Sequence, residues 1–184
     1  MSDTKPATVN RLSARYESLV LAGHSMGGLL LINAAVKHPD KVKAVIALSL
    51  PLRLKLTARA VQNRLLLLKP PKENENAELR AARELCGVSG ISALSAPRLL
   101  AGSLELLKLI RAAKKRLRLL KRPLIAINSK GDEIVSLGSL ELAEREAGEF
   151  KALVLEHSSH FCFPKEDLRL AAQEINVCLA RKEP

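Results

Sequence analysis

Aromatic side chains are scarce in this chain. There is no Trp, one Tyr and three Phe in 184 residues. Proteins that read RNA or single-stranded DNA stack bases on aromatic platforms, so no nucleic-acid partner is expected. Cysteine is sparse as well. Cys86, Cys162 and Cys178 have no paired spacing, which leaves neither a disulfide framework nor a zinc site, and no metal is expected. Charges or prolines interrupt every apolar run well before 18 residues, so no transmembrane helix is expected. The start of the chain, Met1-Ser2-Asp3-Thr4-Lys5-Pro6, lacks an apolar stretch, so a cytoplasmic protein with reduced thiols is expected. Acidic residues are lacking in one region. Between Pro51 and Arg122 there are 17 Lys and Arg but 5 Asp and Glu, a net charge of +12 in a chain whose total is +11.

What is present is an ordinary globular composition, 47% hydrophobic and 27% charged, long enough to bury a core without disulfides. Four short apolar runs are bounded by turn signals: Leu19 to Ala22, Ala44 to Leu50, Leu124 to Ile127 and Ala152 to Leu155. Near-continuous apolar runs of this length suit parallel strands buried on both faces. Helical patterns lie between them. Met26 to His38 stops at Pro39, and Ser139 to Ala147 stops at Gly148, placed for a C′ glycine. Lys165 to Arg181 carries Leu168, Ala171, Ala172, Ile175, Cys178 and Leu179 on one expected apolar face. Strand alternating with helix gives an α/β class with a four-stranded, mostly parallel sheet.

The stretch from about Leu52 to Lys121 breaks that rhythm and contains no convincing strand. Thr57 to Leu68 reads as a helix ended by Pro70-Pro71, and Asn76 to Cys86 as a second ended at Gly87. A third has Ser95 as its N-cap and Pro97 in its first turn, and ends before Pro123. The expected organisation is therefore 1–51 and 122–184 as two parts of one core, with 52–121 as a basic helical cap inserted between the second and third strands. In the third helix, Lys108, Arg111, Lys114, Lys115, Arg116 and Arg118 interleave with leucines. Packing of its apolar side on the core, with solvated charges, is preferred over docking on an anionic lipid surface.

The first strand runs into Gly23-His24-Ser25-Met26-Gly27-Gly28, and a helix follows. G-x-S-x-G between strand and helix is the arrangement that raises a serine hydroxyl above a sheet edge. Glycines at this turn avoid collisions where strand and helix approach. The Met26 amide, at the helix N-terminus, is the expected donor to a developing oxyanion. A serine nucleophile needs a base, and the base needs an orienting acid. Asp132 follows the third strand and His160 the fourth. Both loops leave the carboxyl ends of parallel strands, the edge that presents Ser25. Glu133 and His157 are the alternatives to Asp132 and His160. His24 is expected to pack near or line the substrate pocket, and His38 to end a helix.

At these residues the chain resembles the α/β-hydrolase superfamily, and most of all its bacterial carboxylesterase and monoacylglycerol-lipase-like group, related to serine-aminopeptidase-type hydrolases. The resemblance rests on Leu19 to Gly28, on His38-Pro39-Asp40 leading into Val45 to Leu48, on Pro123 to Val135 and on Ser158-Ser159-His160. It implies Ser25 as nucleophile, Asp132 as acid, His160 as base, a carboxylic ester or monoglyceride as substrate, and no cofactor. Two departures stand out. Ser159 occupies a position where the family has Gly. The family also carries further strands before the serine turn, whereas 24 residues precede Ser25 here. An N-terminally truncated hydrolase is therefore expected, lacking a second oxyanion donor and prone to self-associate through an exposed first strand. The alternative that follows is a degenerate, non-catalytic member of the fold, retaining at most a membrane-surface role.

Overall fold

Each strand of this chain pairs in parallel with the next one along the sequence. The computed structural model describes residues 4–55, 57–67, 69–72, 74–86 and 96–180. Within them run α1 (Thr4–Arg15), β1 (Leu19–His24), α2 (Met26–Lys37), β2 (Val42–Leu48), α3 (Ala58–Leu67), α4 (Ala77–Cys86), α5 (Ala96–Leu117), β3 (Leu124–Ser129), α6 (Gly138–Glu146), β4 (Phe150–Leu155) and α7 (Lys165–Ala180). The strand order is β1-β2-β3-β4, and all three pairings are parallel. The fold is the expected α/β sheet, with three helices between β2 and β3 among the described residues. The expected helix ends at Gly87 and Ser95 lie outside the described residues.

Alternate strand residues face opposite layers, as the two-residue period of a strand requires. Leu21, Val45, Ala47, Leu124 and Ala126 form one core with Leu29 and Ile32 of α2, with Ile110, Ala113 and Leu117 of α5, and with Leu140 and Ala143 of α6. Ala44, Ile46, Ile125, Ile127 and Leu155 form a second core on the other side, where Ala171 of α7 packs. All six residues of β3 are buried, so a strand in the middle of the sheet explains the most apolar run between helices. β1 lies at an edge of the sheet, and Val20 and Ala22 are not buried.

α5 divides by face. Ile110, Ala113 and Leu117 are in the core, whereas Leu104, Leu107, Lys108, Arg111, Lys115 and Arg118 are exposed. These two sets lie on opposite sides of a 3.6-residue turn. α5 thus packs its apolar stripe against α2 and the sheet, while several of its basic residues lie on the exposed side.

Several local expectations change. β2 starts earlier than the apolar run suggests, at Val42, and it ends earlier because Ser49 takes a left-handed φ of 48°. That residue leaves the strand, its amide still bonding Ile127 O at 2.7 Å. The Asn128 side chain then takes the Leu50 amide at 2.9 Å. Gly148 is not in the left-handed region. α6 ends instead by turning extended at Ala147 (φ −89°, ψ 142°). α7 keeps part of its expected face: Ala171 is buried and Ile175 packs against the same core, whereas Leu168, Ala172 and Leu179 are exposed and Asp167 is buried; the Cys178 side chain lies outside the described residues. Asp167 turns inward beside them to accept from the His157 amide at 3.0 Å and the Ser158 hydroxyl at 2.6 Å.

The division of α5 makes a direct prediction. Leu117 is fully buried and Leu119, two residues on, is 60% exposed. Leu117→Ala should cost about 2–5 kcal/mol of stability, and Leu119→Ala no more than about 0.5 kcal/mol, by urea unfolding. Equal effects would mean that α5 does not belong to the core.

Candidate active site

The turn between β1 and α2 forces an unusual backbone. Ser25 has φ 51° and ψ −121°, a conformation costly for a residue with a Cβ and concentrated at functional sites. Hydrogen bonds hold it there: the Ser25 amide donates to Leu48 O at 2.8 Å, and Ser25 O accepts from Gly28 N at 2.9 Å. A Cβ on Gly23 would lie 2.9 Å from the Gly27 carbonyl carbon and 2.8 Å from Leu31 Cδ1. The expected collision is therefore real at Gly23. It does not apply at Gly27, where an added Cβ meets nothing within 4 Å.

Ser25, Asp132 and His160 come together although they lie on three separate loops. His160 Nδ1 is 2.9 Å from Asp132 Oδ2, and His160 Nε2 is 3.1 Å from Ser25 Oγ. An ionised carboxylate accepts only, so the imidazole proton sits on Nδ1. Nε2 is then free to accept the Ser25 hydroxyl proton. His160 is 2% exposed and Asp132 1%. Burial by itself pushes the Asp132 carboxyl up. The His160 hydrogen bond and charge, with the amides of Val135 and Ile134, outweigh it and hold the group below its ordinary value. Both amides reach Asp132 Oδ1 at 2.8 Å.

The alternative residues have other partners. His157 is exposed, and its amide is bound to Asp167 rather than facing Ser25. Glu133 is buried but turned to the backbone: its Oε2 accepts from the His160 amide at 3.1 Å. Sequence spacing carries no signal for that contact, since it does not tell which of two adjacent carboxylates meets the imidazole ring. His24 packs its ring 4.9 Å from the His160 ring and near Phe161 and Phe163. Its Nε2 donates to His160 O at 2.8 Å. Burial, and then the nearby His160 charge, lower the His24 pKa, which keeps that ring neutral near pH 7. Met26 supplies a first-turn amide of α2, one of the donors left without a partner inside a helix. His38 ends α2 as its C-cap.

The two loops are fastened to each other and to the start of the helical insertion. A Cβ on Gly131 would come within 2.7 Å of Ser158 O, so only glycine permits this approach. Ser129 Oγ donates to the same carbonyl at 2.5 Å. On the other side, Leu54 pairs with Val135 in an antiparallel bridge. The Lys55 amide donates to Ile134 O at 2.8 Å, and the Thr57 hydroxyl donates to Glu133 O at 3.0 Å.

Comparison with known proteins gives the family and the fold. The protein-family model for Serine aminopeptidase, S33 (Hydrolase_4) matches residues 5–163. The chain belongs to this hydrolase family. Solved structures with the same fold include one reported for the metagenome-derived lipolytic enzymes LipS and LipT. It is 20% identical, with a TM-score of 0.63 over 95% of this chain and 70% of that one. Another is the monoacylglycerol lipase of Paleococcus ferrophilus, 17% identical, with a TM-score of 0.66 over 95% of this chain and 74% of the lipase. A third is a carboxylesterase structure from the thaumarchaeon Nitrososphaera gargenis, 20% identical, with a TM-score of 0.63 over 95% and 71%. At such identities the likeness is one of fold. No curated protein matches the chain. Among the described residues, no helix is long and apolar enough to cross a membrane, and no group of His, Cys, Asp and Glu is placed to hold a metal ion.

The depressed Asp132 pKa gives a signed prediction for this member of the serine-aminopeptidase family. A carboxylate with a lowered folded-state pKa stabilises the fold fully above its unfolded value, about 3.9. That stability is lost as pH falls through the folded value. Asp132→Asn removes the titration while keeping an acceptor for the two amides. The wild-type advantage over Asp132→Asn in unfolding free energy should be flat near neutrality and shrink below about pH 4. An advantage that grows on acidification contradicts the assignment.

Proposed function

We propose that this chain is a serine hydrolase that cleaves carboxylic esters, of short or medium acyl chain or of monoglyceride type, through an acyl-enzyme on Ser25. The observation that carries this reading is the hydrogen-bonded chain from Ser25 Oγ through the His160 imidazole to Asp132. Membership of a hydrolase family supports the reaction class. The likeness to a monoacylglycerol lipase and a carboxylesterase supports an ester substrate.

In this mechanism Ser25 is the nucleophile. As its Oγ attacks the carbonyl carbon, the hydroxyl proton passes to His160 Nε2, and the carbonyl oxygen becomes an oxyanion. The Met26 amide at the start of α2 donates to that oxyanion, with the helix dipole adding to the attraction. Asp132 stays ionised and stabilises the imidazolium through Nδ1–H. The tetrahedral species collapses, the ester bond breaks, and the departing alcohol takes the proton from Nε2. Water then repeats the sequence on the acyl-enzyme: His160 takes its proton, hydroxide attacks the acyl carbon, and the acid leaves as the proton returns to Ser25. The insertion between β2 and β3 is proposed to cap this site, with Leu54, Lys55 and Thr57 bonded to the loop that carries Asp132.

A fluorophosphonate probe should label the folded protein, and Ser25→Ala should abolish labelling. Hydrolysis of p-nitrophenyl esters should fall by about 10⁴-fold or more in Ser25→Ala and in His160→Ala. A cooperatively folded wild-type protein that takes no label would favour the non-catalytic reading of the same fold.

A further inference from the structure

Glu133 is a buried carboxylate that the proposed chemistry does not use. It is 6% exposed, and a buried charge is tolerated only when it is paired or hydrogen-bonded. Its partner is the backbone of the proposed base: Glu133 Oε2 accepts from the His160 amide at 3.1 Å. The neighbouring Asp132 meanwhile accepts from the His160 ring at 2.9 Å. One dipeptide therefore grips His160 twice, by its main chain and by its imidazole. The far side of the same peptide segment is held too, since His24 Nε2 donates to His160 O at 2.8 Å.

The grip has a firm base. Glu133 O accepts from the Thr57 hydroxyl at 3.0 Å. The Ile134 and Val135 amides are both occupied by Asp132 Oδ1. The carboxylate at 133 thus hangs from a loop that is bonded on both flanks. With the His160 amide fixed to that loop, the Cα–Cβ vector of His160 is fixed relative to Asp132. Free rotation of the peptide would otherwise let the ring keep its Asp132 bond while Nε2 drifts away from Ser25. A displacement of about 1 Å at reacting atoms costs on the order of 10²-fold in rate.

We infer that Glu133 is a positioning residue that holds the His160 backbone so that Nε2 stays in register with Ser25 Oγ. This inference rests on the serine-hydrolase reading above. Its role is that of an acceptor: it takes no proton from substrate and does not substitute for Asp132.

The test compares Glu133→Gln, which keeps an acceptor oxygen, with Glu133→Leu, which fills similar space without one. With p-nitrophenyl butyrate as substrate, Glu133→Leu should lose about tenfold to a hundredfold in kcat, with KM changed by no more than about threefold. Glu133→Gln should stay within about threefold of wild type in kcat. Fluorophosphonate labelling of Ser25 should slow in Glu133→Leu alongside kcat. Circular dichroism on the same samples gives the folded fraction. A kcat loss that only tracks the folded fraction overturns the inference, and so does equal loss in the Gln and Leu variants. Wild-type kcat in Glu133→Leu overturns it as well. If the wild-type protein itself neither labels nor hydrolyses the ester, it is the serine-hydrolase reading that has failed.

Discussion

Parallel pairing in sequence order is the constraint on which the rest of this molecule depends. β1, β2, β3 and β4 lie side by side in that order, so every strand ends at the same edge of the sheet. The register is tight at that edge: His24 is opposite Leu48, Leu48 opposite Ile127, and Ser129 opposite Leu155. The residues that follow β1, β3 and β4 must therefore emerge close together. Ser25 is the first residue after β1, Asp132 lies three residues past β3, and His160 lies five residues past β4. Sequence separations of more than a hundred residues collapse to hydrogen-bond distance without any long-range signal other than strand order.

Burial makes the arrangement electrostatically demanding. Two carboxylates, Asp132 and Glu133, sit side by side under the surface, where isolated charges are costly. Backbone amides and one histidine offset that cost. Asp132 takes the Ile134 and Val135 amides and the imidazole, and Glu133 takes the His160 amide. Because the partners are main-chain groups on short loops, they are held in place before any substrate arrives. That is the property electrostatic stabilisation in a dry site requires. The left-handed backbone at Ser25 belongs to the same economy of fixed geometry: the strand on one side and α2 on the other hold it.

Much of this was legible in the residues, for physical reasons that differ by element. All four strands are visible as nearly continuous apolar runs, although only β2 and β3 are buried along most of their length, and β1 and β4 are edge strands with few buried residues. The serine turn was visible because a close approach needs glycine, and at Gly23 it does. Other features depend on partners that periodicity does not contain. The inward side of α7 carries Ala171 and Ile175, as apolar spacing suggests, but also Asp167 with its bonds to His157 and Ser158, which spacing does not record. The end of β2 is set by a positive φ at Ser49 and an Asn128 side chain a long way off in sequence. Whether Asp132 or Glu133 meets the imidazole is decided by which way each side chain leaves one tight loop. The neighbouring carboxylate then acquires a backbone partner that no motif records.

The central claim is that convergence at one sheet edge makes Ser25 a nucleophile. The most direct measurement is a pre-steady-state burst with p-nitrophenyl butyrate, followed by mapping of the acylated residue by mass spectrometry. The account predicts a burst of close to one p-nitrophenolate per chain, with the butyryl group on Ser25. A turnover-competent protein whose acyl group maps to another residue would contradict it.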